Sequence, residues 1–223
     1  TLFYIAFFPG VIAIGFTFFV KEKKLLTVAE KPKIQLLDFI KYWKESPAIY
    51  RKLVGGLLVF ALFNSSDVFL LLKIKEAGYN DTTVIGIYIF YNLIYALFSY
   101  PLGILADKIG MKKIFVTGLF LFMLVYFGMA YTENKWVFVF LFFVYGIYAA
   151  ATEGIAKAWI TNICERKNTA TAIGTYTAFQ SVATLIASSI TGLIWYSFGA
   201  SITFLISGIV ALGVSVYVLR IKN

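Results

Sequence analysis

The chain has 223 residues, 61% hydrophobic, 19% aromatic and only 14% charged, with a mean hydropathy of +0.84. So little polar surface excludes a soluble globular domain and predicts an all-α protein that crosses a membrane several times. The formal charge of +9, with no histidine, falls in a few short loops where lysines set membrane orientation, so no nucleic-acid partner is expected.

Thr1 to Val20 is the first apolar run; it holds Pro9-Gly10 and ends in Lys21-Glu22-Lys23-Lys24. It lacks the starting methionine and basic n-region of a signal peptide, and the chain reads as a piece of a longer one. Residues 21–52 differ in composition, with nine Lys or Arg and the breakers Pro32 and Pro47, and form the one linker. Inside it Ile34, Leu37, Ile40 and Trp43 recur at about helical spacing, which fits an amphipathic helix at the headgroups or a solvated connector. Six further apolar runs follow: Leu53 to Leu72, Val84 to Ala106, Ile114 to Tyr131, Trp136 to about Ile163, about Ala170 to Tyr196, and Ser201 to Leu219. At roughly 1.5 Å per residue, runs of this kind suit a hydrocarbon core of about 30 Å. Seven spans are expected.

Basic residues in alternate loops predict the orientation. The linker, the turn at 107–113, Arg166-Lys167 and Arg220/Lys222 hold sixteen, while Lys73, Lys75 and Lys135 are three on the other side. This places the linker, the turn and the C-terminus in the cytoplasm, with the chain in the cytoplasmic membrane. Lys157 is left inside a span.

Polar residues gather in the second, third, fifth and sixth spans, which are expected to face one another or a wet cavity, because an unsatisfied polar group in lipid is costly. The fourth and seventh should stand behind them with much lipid contact. Candidate cavity residues are Asn64, Tyr88, Tyr91, Asn92, Tyr95, Tyr145, Tyr148, Thr177, Gln180 and Thr184. The tyrosines equally suit packing and interface positions. No span carries an arginine, so the wall favours an uncharged, cationic or aromatic small molecule over a phosphorylated anion.

Three charges lie inside spans. Asp67 is 14 residues beyond Leu53, roughly 21 Å along its helix, and is either a proton- or cation-binding carboxylate or one bonded to hydroxyls near the outer interface. Glu153 and Lys157 are four apart on one helix face and can pair with each other, within a gating network with Asp107, Arg166 or Lys167, or contact substrate. On the same helix Gly146, Ala150, Gly154 and Ala158 form a small-residue packing stripe, echoed by Gly174 and Ala178 on the next.

Splitting the last six spans into two sets of three shows an internal echo. Gly103 and Gly110 bracket one connection and Gly192 and Gly199 the corresponding one, on opposite faces, as in an inverted-topology repeat. The turn between the third and fourth spans reads Gly103-x-Leu105-Ala106-Asp107-Lys108-x-Gly110-x-Lys112-Lys113. Glycine at 103 permits close backbone approach, Asp107 can cap the next helix, and Lys112 and Lys113 can meet anionic headgroups.

This turn resembles the cytoplasmic loop signature of the major facilitator superfamily, found between the second and third helices of a six-helix half. The resemblance implies a six-helix bundle of two inverted three-helix repeats at 53–223, a linker at 21–52, and at 1–20 the last helix of the N-terminal bundle. It implies a secondary active transporter working by alternating access, proton-coupled, of the efflux type rather than uptake. Gly103, Asp107, Lys108, Gly110, Lys112 and Lys113 would form a gate, with the N-terminal half of the transporter, the bilayer and a small-molecule substrate as partners. The text Glu153-Gly154-x-x-Lys157-Ala158 and Thr169-Ala170-x-Ala172-x-Gly174-x-Tyr176 resembles a bacterial subgroup of mostly unassigned substrate.

The rival from another class is a self-contained seven-span receptor or scaffold. An enzyme is not expected, since there is no histidine, nucleophile–base pair or metal-ligand cluster. Cys164 is the one cysteine, so no intramolecular disulfide is possible, and neither a metal nor a cofactor is predicted.

Overall fold

The computed structural model describes residues 2–19 and 38–221. The chain divides into two compact units at residues 35 and 36. In the first unit, α1 (Leu2–Thr17) is 16 residues long, about 24 Å, and its described apolar side chains such as Phe8, Ile12 and Phe16 are exposed. The linker stretch 20–37, with Ile34 and Leu37, and Lys222 lie outside the described residues.

The second unit is all-helical. Its elements are α2 (Asp38–Glu45), α3 (Ala48–Ala61), α4 (Val68–Glu76), α5 (Asp81–Ile109), α6 (Met111–Tyr131), α7 (Lys135–Ile163), a short 3-10 turn (Arg166–Asn168) and α8 (Thr169–Arg220). Among the described residues, four helical stretches are long and apolar enough to cross a membrane: Asp81–Ile109, Met111–Tyr131, Lys135–Ile163 and Arg166–Arg220. At 52 residues, α8 would extend about 78 Å if straight; it is broken at Gly199, which has φ 83°. Its first limb (169–198) begins beside α3, where the Tyr50 hydroxyl donates to the Ala172 carbonyl at 2.8 Å. The second limb (200–220) returns antiparallel to α6, with Ser201 Oγ donating to the Ala130 carbonyl (2.6 Å), the Phe204 ring on Tyr126, and Lys112 on the Leu219 carbonyl.

Two ends of the unit follow from such contacts. At the basic end, Lys112 reaches the Leu219 and Ile221 carbonyls at 2.7 Å each, Tyr217 donates to the Lys52 carbonyl, and Asn162 lies against Met111. At the opposite end Trp195 Nε1 donates to Glu76 (2.9 Å), Tyr79 to the Glu133 carbonyl, and Lys75 pairs with Asp81.

The apolar run Leu53 to Leu72 is not one helix. It breaks after α3, and Asn64, Ser65 and Ser66 are non-helical before α4 resumes at Val68.

The expectation for the fourth run is overturned. Phe115, Leu119, Phe122, Val125, Tyr126 and Met129 of α6 are all buried, because α6 packs against both α7 and α8. Gly118 makes this possible: a Cβ there would lie 2.5 Å from Thr152 Cγ2. The exposed helix is α5, with Ile85, Ile89, Leu93, Leu97 and Tyr100 all open. From the linker, Trp43 of α2 packs edge-on against Tyr50 and Phe179, so this end of the predicted amphipathic stretch docks on protein.

Candidate functional site

The break between α3 and α4 places two polar side chains against α7. Asn64 Nδ2 donates to the Tyr148 hydroxyl at 3.0 Å. Asp67, at the start of α4, accepts from the Tyr145 hydroxyl at 2.6 Å, and the Tyr91 hydroxyl of α5 lies near this carboxylate. Tyr88 stacks on Tyr91, Tyr91 meets Tyr145 at 5.1 Å, and Tyr145 meets Tyr148 at 5.1 Å. Tyr91, Tyr145 and Tyr148 are buried, which fixes their rings and aims their hydroxyls at the break.

A cavity of about 160 Å³ opens beside this cluster. Its polar wall is Asn64, Tyr148, Thr152, Glu153, Lys157, Tyr176, Gln180 and Thr184, and Leu57, Phe60 and Phe115 contribute its apolar wall. Of the predicted lining residues, Asn64, Tyr148, Gln180 and Thr184 border the cavity. Tyr91 and Tyr145 stand behind it, beside Asp67.

Asn92 and Thr177 are exposed and donate to the backbone carbonyls of Tyr88 and Ile173. Neither lines this cavity, nor do Tyr88 and Tyr95. Thr152, Tyr176, Phe60 and Phe115 were not singled out as lining residues. Thr152 was legible, because it lies one helical turn beyond Tyr148 on the same face. Phe60 and Phe115 carried no sequence signal distinguishing a cavity wall from ordinary core.

Glu153 and Lys157 share the cavity wall, yet no ion pair joins them among the described residues. The predicted network of these two with Asp107, Arg166 and Lys167 is likewise not formed. Glu153 instead lies near the Tyr95 hydroxyl of α5, and Lys167 pairs with Glu165 at 3.0 Å.

The charged turn is built differently from its sequence reading. Helix α5 runs through Asp107 and Lys108 to Ile109, so Asp107 does not cap the next helix; the N-cap of α6 is Gly110, with no side-chain cap. Gly110 has φ 101°, a region that favours glycine. Gly103 needs no close approach within the unit, since a Cβ there would meet nothing within 4 Å. Instead Gly103, Asp107, Tyr95, Gly154 and Ala158 border a cleft of about 250 Å³ between α5 and α7. The small-residue stripe therefore has two jobs. Gly146 packs tightly, with a built Cβ only 2.8 Å from Ile94, whereas Gly154 meets nothing.

Lys112 has partners within the unit. Its ammonium closes the last carbonyls of α8, where the helix dipole favours a cation. Lys108 and Lys113 are exposed. Cys164, after α7, accepts from the Tyr42 hydroxyl at 3.6 Å; burial pushes its thiol above the ordinary range, with the Tyr42 bond opposing this. Among the described residues no cluster of acidic or cysteine side chains suits a metal ion.

These features define an all-helical integral membrane protein with a polar cavity between helices, set against a discontinuous one. The model of the Major Facilitator Superfamily matches residues 53–222, and the chain belongs to that superfamily. It is 31% identical over 201 residues to a protein of Methanocaldococcus jannaschii named as an uncharacterised MFS-type transporter, covering 87% of this chain and 49% of that one. The chain thus spans about half the length of the curated relative it matches. Neither match singles out a bacterial subgroup.

Proposed function

We propose that the chain is the C-terminal half, with one preceding helix, of a secondary active transporter that moves a small organic molecule by alternating access. In this reading residues 1–20 end the N-terminal bundle, 21–52 are the cytoplasmic linker, and 53–223 form six spans in two inverted repeats, seven spans in all. Support comes from the family match beginning at residue 53 and from the relative's roughly doubled length. The positive φ shared by Gly110 and Gly199 supports the repeat. The basic end faces the cytoplasm of the cytoplasmic membrane, as the sixteen-to-three bias in Lys and Arg favours.

The observation that carries the transport reading is the α3–α4 break. Non-helical backbone at membrane depth is tolerated where it lines a cavity, and interrupted helices mark binding sites in transporters. Here the break presents Asn64 to the cavity and Asp67 to a tyrosine cluster. Asp67 couples transport to protons, in the direction of efflux, with Tyr145 holding its carboxylate and Tyr91 beside it. Asp107 and the cleft around Gly103 and Gly154 form the gate against the N-terminal half; Asp107 is exposed and has no ion-pair partner among the described residues.

The test is gradient-driven transport by the full-length parent protein in proteoliposomes. Asp67→Asn should abolish uphill movement while leaving downhill exchange. Uphill transport at the wild-type rate would remove Asp67 from the mechanism.

A further inference from the structure

We propose that the cavity between the α3–α4 break, α7 and the first limb of α8 binds a zwitterionic amino acid with an apolar side chain, its ammonium on Glu153 and its carboxylate on Lys157. This rests on the reading of that cavity as the substrate wall and names the substrate class.

The argument begins with an anomaly on α7. Glutamate four residues before lysine is the favourable order for an intrahelical pair, yet no ion pair forms between Glu153 and Lys157, and both border the cavity. Glu153 has the Tyr95 hydroxyl nearby, and no hydrogen bond engages the Lys157 ammonium among the described residues. A simple cation would answer the carboxylate and leave the ammonium uncompensated, and a simple anion would do the reverse. Both side chains are exposed in this chain; a zwitterion neutralises both charges at once, and closing the cavity over a bound ligand would make any charge left unmatched costly.

The neutral polar groups agree with this assignment. Several hydroxyls on the long helices are closed onto their own backbone: Thr161, Thr177, Ser181, Ser189, Thr203 and Ser215 each donate to the carbonyl four residues earlier, as does Thr152 on the cavity wall itself. Thr184 and Gln180, both on the cavity wall, make no such bond. Asn64 Oδ1 is buried with no donor, while its amide is held by Tyr148. A buried acceptor without a donor is unfavourable, and an ammonium beside Glu153 supplies one. Gln180 and Thr184 offer donors to a carboxylate beside Lys157. Leu57, Phe60 and Phe115 form an apolar wall, which fits an aliphatic side chain.

The test uses the full-length parent protein in lipid nanodiscs, titrated calorimetrically with three ligands of one carbon skeleton: L-leucine, the cation L-leucinamide and the anion N-acetyl-L-leucine. Leucine should bind about tenfold or more tightly than either derivative, a difference of about 1.4 kcal/mol per factor of ten. Lys157→Met should abolish the advantage of leucine over leucinamide, and Lys157→Arg should restore it. Glu153→Gln should reduce leucine to the level of N-acetyl-leucine. Leucinamide binding as tightly as leucine, or Lys157→Met leaving leucine unaffected, overturns the proposal. If none of the three binds while proteoliposomes carry an organic cation such as ethidium, the zwitterion assignment fails and the transport reading stands. Leucine binding without transport of any of these solutes would uphold the site and overturn the transport reading.

Discussion

Gly146 and Gly154 are on one face of α7, eight residues apart, and the sequence treats them alike; the structure predicts opposite outcomes for the same substitution. An alanine Cβ at position 146 would lie 2.8 Å from both Cβ and Cγ2 of Ile94 and 3.0 Å from the Tyr91 carbonyl oxygen. None of these is the far end of a flexible side chain, so α5 must shift by several tenths of an ångström. Overpacking of this kind costs about 1–3 kcal/mol. At position 154 the added methyl meets nothing within 4 Å, and glycine to alanine inside a helix gains about 0.5–1 kcal/mol. Because that gain applies at both positions and cancels, the two variants should differ by the overpacking cost, about 1–3 kcal/mol in unfolding free energy. The assay is SDS-induced unfolding of the purified parent protein in detergent micelles, followed by circular dichroism. Gly146→Ala should also weaken the Tyr91–Tyr145 contact that holds Asp67, lowering transport as well as stability. Equal midpoints for the two variants, or a larger loss at Gly154, would refute the packing argument.

Lys112→Met should lower stability by about 0.5–1 kcal/mol through loss of the two bonds to the end of α8, whereas Lys113→Met should leave the same unfolding midpoint unchanged. Cys164 should react slowly with N-ethylmaleimide at neutral pH. Burial raises its thiol pKa, so the thiolate fraction is small and the rate should climb with pH beyond the range where a free cysteine levels off; a rate matching glutathione at pH 7 would contradict the burial. Replacing Asn64, Ser65 and Ser66 together by alanine should favour a continuous helix, since alanine is the best helix former, at the loss of the Tyr148 bond. The unfolding midpoint should stay level or rise while transport disappears, and retained transport would show that the break is not part of the working site.

Helical class, apolar runs and turn positions were legible because each rests on local chemistry. Uninterrupted apolar runs and lysine-rich loops need no knowledge of neighbours, and Gly110 and Gly199, which the sequence sets at connections between runs, do stand at helix breaks, each with a positive φ. Lateral placement was not legible. Lipid tails are as apolar as leucine, so hydropathy does not distinguish α6, buried between α7 and α8, from α5, whose Ile89 and Leu97 are open. The same limit explains the site. Asn64, Tyr148, Gln180 and Thr184 were picked out by polarity alone, and polarity equally picked Asn92 and Thr177, which only close on their own backbones. Lys112 escaped because its partners are carbonyls 107 and 109 residues away, which no local pattern encodes.

The α3–α4 break ties these threads together through backbone accounting. A buried amide or carbonyl without a partner in a membrane costs several kcal/mol, so a helix of this composition should run on through residues 62–67 unless the local groups are satisfied otherwise. Part of this is met by short turns: the Phe63 and Asn64 amides both reach the Phe60 carbonyl, at 3.0 and 2.9 Å, and the Phe69 amide reaches that of Ser66 at 3.0 Å. Short turns thus close both sides of the gap. The Asn64 amide side chain and the Asp67 carboxylate are then free to turn toward α7, where Tyr148 and Tyr145 meet them. A continuous helix would turn successive side chains by about 100° each, spreading Asn64 and Asp67 along one stripe with no opening beside them. The discontinuity is therefore what separates their roles, setting the amide on the cavity and the carboxylate behind it among tyrosines.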